Sequence, residues 1–201
     1  MTVNPNLSRR SLLRAGAGTL AAGLLAACTV SKSGTTTTVT LNVAEVVDYG
    51  NAILSFASTA INISFVASGM GTANVAIANT VIASLKSGLS AFQSAAGSST
   101  SVSYNSASVK AAFDSILADV ESIDKLIVGV ITGTASNLSS SVVSDAKTAA
   151  GAAETLISLL KAMVDMSAHR PAAATLGARV GLHASGQQAI GNIAIFAASQ
   201  G

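Results

Sequence analysis

Residues 6–170 contain no proline, and along that span apolar side chains recur at alternating steps of three and four. A proline inside a helix removes a hydrogen bond and drives its ring into the preceding turn, so its absence leaves long helices open to this chain. Steps of three and four put every member of a series on one helix face, whereas a strand would need sustained alternation at period two. Four such seams are present. The first is Val43, Val47, Gly50, Leu54, Ala57, Ile61, Phe65. The second is Gly71, Val75, Ala78, Ile82, Leu85, Leu89, Phe92, Ala96. The third is Val109, Phe113, Ile116, Val120, Ile123, Ile127, Val130. The fourth is Val142, Ala146, Ala149, Ala153, Leu156, Leu160, Met163.

Boundary residues agree with the seams. Asn42 with Glu45 three residues on is an Asn-type variant of a capping box. Gly69 and Gly133 stand where left-handed residues close helices. Gly/Ser/Asn-rich breaks cover 97–106 and 132–141, and Arg170-Pro171 stops the fourth helix. The expected fold class is therefore all-α, an up-down-up-down four-helix bundle over 42–170, with helices at about 42–68, 71–96, 106–132 and 140–169. Helices of ~25 residues would each be about 38 Å long. Residues 171–201 hold Gly177, Gly181, Gly186 and Gly191, each costing a helix about 1 kcal/mol, and are expected to form a loosely helical or disordered tail. Ile190, Ile193, Ile195 and Phe196 could dock that tail on the bundle or on a partner.

The amino-terminal 28 residues carry a different message. Arg9, Arg10 and Arg14 precede an Ala/Gly-rich apolar run, Ala15–Ala27, which at about 1.5 Å per residue is too short for a ~30 Å hydrocarbon core. A removable signal peptide over 1–27 fits better than a membrane span. Ser8-Arg9-Arg10-Ser11-Leu12-Leu13-Arg14 resembles the bacterial twin-arginine export signal, with Leu12 in place of its Phe and Arg14 in place of its Lys. Leu25-Ala26-Ala27-Cys28 resembles the bacterial lipobox, in which the Cys is lipidated and becomes the mature amino terminus. The resemblance is confined to residues 8–28. It implies export to the periplasmic face of the cell envelope and attachment to membrane lipid through Cys28. Thr29, where enterobacterial lipoproteins kept at the inner membrane carry Asp, favours the outer membrane. Cys28 is also the chain's single cysteine, which excludes an internal disulfide. Residues 28–41 then read as a Ser/Thr-rich linker between lipid and bundle, with a short strand as the alternative, since Thr and Val favour extended backbone.

Removing the leader changes the electrostatics. The whole chain has 11 Lys and Arg against 9 Asp and Glu. Three of the basic residues lie before Cys28, so the remaining 174 residues carry 8 basic and 9 acidic groups, a net charge of −1. Nothing there forms the clustered Lys/Arg footprint of a nucleic-acid binder.

The search for chemistry yields little. His169 and His183 stand alone, with no His-Glu-x-x-His or Glu-x-x-His, so no metal or cofactor is expected. Asp114, Asp119, Glu121 and Asp124 fall off the third seam and read as a solvated face, with Glu121 placed to pair with Lys125. Ser-x-x-Lys occurs at Ser122/Lys125, Ser144/Lys147 and Ser158/Lys161. A Lys so placed activates the Ser in some hydrolases, but three copies in a Ser-rich helical chain are what chance supplies. From Tyr49 to Leu85 there are 37 consecutive uncharged residues, which opens the alternative of a membrane-active helix pair. Ser55, Asn62, Asn74 and Asn79 within it are costly in hydrocarbon. The expected function is a non-catalytic binding or scaffolding module with an envelope protein partner, an enzyme being the remote alternative.

Overall fold

The structure, a computed structural model, describes residues 28–33, 36–134, 141–165 and 176–200. Two strands open it, β1 (Cys28–Ser33) and β2 (Thr36–Asn42), followed by helices α1 (Val43–Ala60) and α2 (Ser64–Ala96). A short strand β3 (Ser101–Ser103) leads into α3 (Ala107–Ile123), a π-helical turn (Asp124–Val128) and the short α4 (Gly129–Thr134). Two further helices complete the chain, α5 (Ser141–Asp165) and α6 (Leu176–Gln200). The all-helical expectation holds in its main part, with two additions at the ends.

The first addition is a sheet. Residues read as a linker form β1 and β2, an antiparallel pair running from Cys28 opposite Leu41 to Ser33 opposite Thr36. β3 extends it in the order β1-β2-β3, with Leu41 opposite Val102. The extended alternative wins because Val39 and Leu41 alternate with threonines, so one face of β2 buries both apolar side chains in the core.

The second addition is α6. The tail read as loose is a helix over residues 176–200. Gly186, Ala189, Ile193 and Phe196 step by threes and fours and are buried. Phe196 sits 6.1 Å from Phe56 of α1, ring centre to ring centre. Burial of this sparse seam against α1 and α5 offsets the glycine penalties that made the segment look like a poor helix. α5 is accordingly buried on a broad front, with Ala149, Ala150, Ala152 and Ala153 inside together with Leu156, Ile157 and Leu160. Its alanines let neighbouring helices approach closely. α1 touches α2, α3, α5 and α6 and lies at the centre of the body.

Helix boundaries shift where backbone geometry demands it. The first helix ends at Ala60 rather than 68, and its buried stripe runs Val46, Tyr49, Ile53, Phe56, Ala60, one residue out of step with the seam from Val43. Gly71 interrupts α2 with φ 73 and ψ 161, a conformation closed to L side chains. Gly71 and Gly97 are thus the described glycines with positive φ; Gly69 and Gly133 lie within α2 and α4. In α3 the π-turn resets the phase, so Ile131 is buried in place of Val130. Phe113 anchors this region between Phe92 (6.1 Å) and Tyr104 (5.8 Å, edge to face).

Candidate functional site

Glu45 is the one charged side chain buried among the described residues, 6% exposed. Its position follows from the start of α1. Asn42, in extended backbone, caps the helix by accepting from the Glu45 N–H at 3.3 Å. A capping box would return the Glu45 carboxylate to the Asn42 N–H. Instead Oε1 lies 3.1 Å from His183 Nδ1 of α6, and Oε2 is buried without a hydrogen-bond partner.

Two neighbours complete the cluster. Tyr49, one turn on from Glu45, is buried at 2% exposure, and its phenol is pushed up to about 12 by burial and by the charges of Glu45 and Asp48. Gly186 of α6 lies against the Tyr49 ring so closely that an added Cβ would sit 2.8 Å from Cζ. Burial raises the Glu45 carboxyl above its ordinary value, and the hydrogen bond and charge of His183 only partly counter it. A carboxyl that costs stability where it sits, facing an imidazole, suits the uptake and release of a proton. Among the described residues no three His, Cys, Asp or Glu side chains converge to hold a metal ion.

Other polar groups are internally engaged. Tyr104 donates to Asp114 Oδ1 at 2.6 Å, and Lys110 donates to the Tyr104 hydroxyl at 2.9 Å. Burial works to raise the Asp114 carboxyl, but the bonds from Lys110 and Tyr104 outweigh it and hold the group below its usual range. Asp119 is raised by burial, in part countered by Ser84, and its Oδ2 also lacks a partner. A groove of about 340 Å³ between α5 and α6 is lined by Thr148, Thr155, Ser185, Gln188 and Asn192. Three of its hydroxyls donate to their own helix carbonyls: Thr148 to Ser144, Thr155 to Gly151 and Ser185 to Gly181.

The residues singled out in the sequence are dispersed. Arg9, Arg10, Leu12, Leu13, Leu25, Ala26, Ala27 and His169 lie outside the described residues, whereas Cys28 is the first residue of β1. Ser122 donates to the Ala118 carbonyl, and Lys161 pairs with Glu121 at 2.9 Å, so two Ser-x-x-Lys pairs have a member otherwise occupied. Glu121 therefore forms its ion pair with Lys161 of α5, while Lys125 acts on it through charge alone. Lys125 lies in the π-turn, where five-residue spacing carries it off the i+4 position. Glu45 and His183 were each legible only as a cap residue and a tail residue. Their meeting across 138 positions leaves no local sequence signal.

Among the described residues, one stretch of α2 is largely exposed, with Val75, Val81 and Ile82 partly buried against the core. Between Gly71 and Ser84 only Ala78 of α2 is buried, and Ile77 is 50% exposed. The helix Ser64–Ala96 is long and apolar enough to cross a membrane by length and composition, yet 28% of its most apolar window is buried. No known protein family, curated protein or solved structure matches the chain.

Proposed function

We propose that the chain is an exported cell-envelope protein, anchored to membrane lipid through Cys28, that works as a non-catalytic binding or scaffolding module. The observation that carries this reading is the place of Cys28. It ends the lipobox-like stretch and also begins β1, which pairs with β2, and β2 runs directly into α1. A lipid on Cys28 would therefore be held by the sheet rather than by a slack linker, and would set the attitude of the helical body at the membrane. The uncharged length of α2 from Gly71 to Ser84, largely exposed among the described residues, is the surface such a body offers to an envelope partner.

Two variants test the reading. Cys28→Ala should move the protein from the membrane to the soluble fraction while leaving its helical signal unchanged. Arg9→Lys with Arg10→Lys should hold the precursor in the cytoplasm. Membrane association that survives Cys28→Ala would contradict the anchor.

A second reading, insertion of the uncharged segment 49–85 into lipid, draws on the exposure of α2. Its α1 portion buries Ile53, Phe56 and Ala60 in the core, so insertion would have to dismantle the body. Dye release from liposomes by leader-free protein would favour it.

A further inference from the structure

The two halves of α6 are held differently. Beyond Gly186 the helix buries Ala189, Ile193 and Phe196. Ahead of Gly186 no described side chain is buried, and Leu182 is 45% exposed. Among the described side chains of 181–186, the contacts with α1 are His183 on Glu45 and Gly186 on the Tyr49 ring. The groups facing Glu45 are Asp48 and Tyr49 from α1 and His183 from α6.

We propose that the front half of α6 is a proton-dependent strap, seated on α1 while the Glu45–His183 pair holds a proton and lifting from α1 as the pair gives that proton up. The chemistry follows from the geometry. While Glu45 holds the proton, the buried site carries no carboxylate charge. When that proton leaves, a carboxylate stays buried with His183 on Oε1 and nothing on Oε2. Lifting α6 lets water solvate both oxygens. The raised carboxyl gives the sign: the seated form binds the proton more tightly than the lifted form, so falling pH strengthens seating and rising pH weakens it. The rear half stays in place because its contacts are apolar and do not titrate. The outcome is a helix end that uncovers Glu45 and Tyr49 when the surroundings turn alkaline.

Amide hydrogen exchange on the full chain between pH 5 and 8.5, corrected for the intrinsic pH dependence of exchange, tests this. Protection of 176–188 should fall several-fold with rising pH relative to 189–200, because the seated form holds the Glu45 proton more tightly than the lifted form. Glu45→Gln should keep the front half seated at every pH. His183→Gln should leave it lifted at a pH where the wild-type strap is seated. Protection of 176–188 that does not change with pH would overturn the proposal. So would a pH dependence that survives Glu45→Gln, or one shared equally by 189–200.

Discussion

His183 Nδ1 lies 3.1 Å from Glu45 Oε1 and joins α6 to the first turn of α1. The pair diverts a capping residue from its local task. Asn42 still caps α1, but the carboxylate that should complete the box points into the α1–α6 interface. The result is a buried acid with one oxygen unpartnered, in a protein otherwise sparing with charge.

Glu45→Gln should raise stability toward neutral and alkaline pH by about 1 kcal/mol, the scale of an imperfectly satisfied buried polar group. The carboxyl is raised in the fold, so its contribution is present below the ordinary value of 4.5 and is lost as pH rises through the raised value. Denaturation curves of wild type and variant should therefore converge in acid and separate above it. Parallel curves from pH 4 to 8 would contradict this account of Glu45.

Glycines within α6 should respond in opposite directions. An exposed helical Gly replaced by Ala gains roughly 0.5–1 kcal/mol. Gly191 has open space around it and should show that gain on Gly191→Ala. Gly186 faces the Tyr49 ring, with Cζ and Cε1 at 2.8 and 2.9 Å from an added Cβ. Gly186→Ala should instead cost about 1–3 kcal/mol, as overpacking does. Chemical denaturation of the two variants checks the seat of α6, and a gain in both would place Gly186 away from α1.

Phe196→Ala should cost about 3 kcal/mol or more, since it empties a fully buried site against Phe56. The loss should appear in thermal unfolding together with weaker protection across α6. A change under 1 kcal/mol would mean that the last helix is not part of the core.

Gly71→Ala should destabilise by about 1–2 kcal/mol although it fills no occupied space, because φ 73 with ψ 161 is a backbone conformation that alanine resists. Melting temperature reads this directly. An unchanged or higher value would show that α2 runs straight through position 71.

Much of the helical body was legible in the residue pattern. The fourth seam predicted the inner face of α5 closely, because Ala146, Ala149, Ala153, Leu156, Leu160 and Met163 are all buried there. The first seam caught Gly50, Ala57 and Ile61, which are buried, but ran along the flank of a stripe centred on Val46, Tyr49, Ile53, Phe56 and Ala60; adjacent apolar residues such as Val46 and Val47 give no local sign of which is the core member. β1 and β2 hid in a Thr-rich stretch whose only apolar alternation is Val39 and Leu41, too short to outweigh the polar composition. α6 hid behind four glycines, since its stability comes from α1 and α5 rather than from its own propensity. Glu45 and His183 were invisible as a pair because a contact between the two ends of the fold has no periodicity to read. The proposed export signal is the opposite case, a local motif read directly from the residues, of which only Cys28 falls within the described structure.

The central claim is that Cys28 is both the lipid attachment point and the first residue of the folded body. Intact-mass measurement of the protein extracted from cell envelopes addresses it most directly. The account predicts a species that begins at Cys28 and carries a diacylglyceryl group on its sulfur. A mature protein that begins at another residue, or one with an unmodified Cys28 thiol, would contradict it.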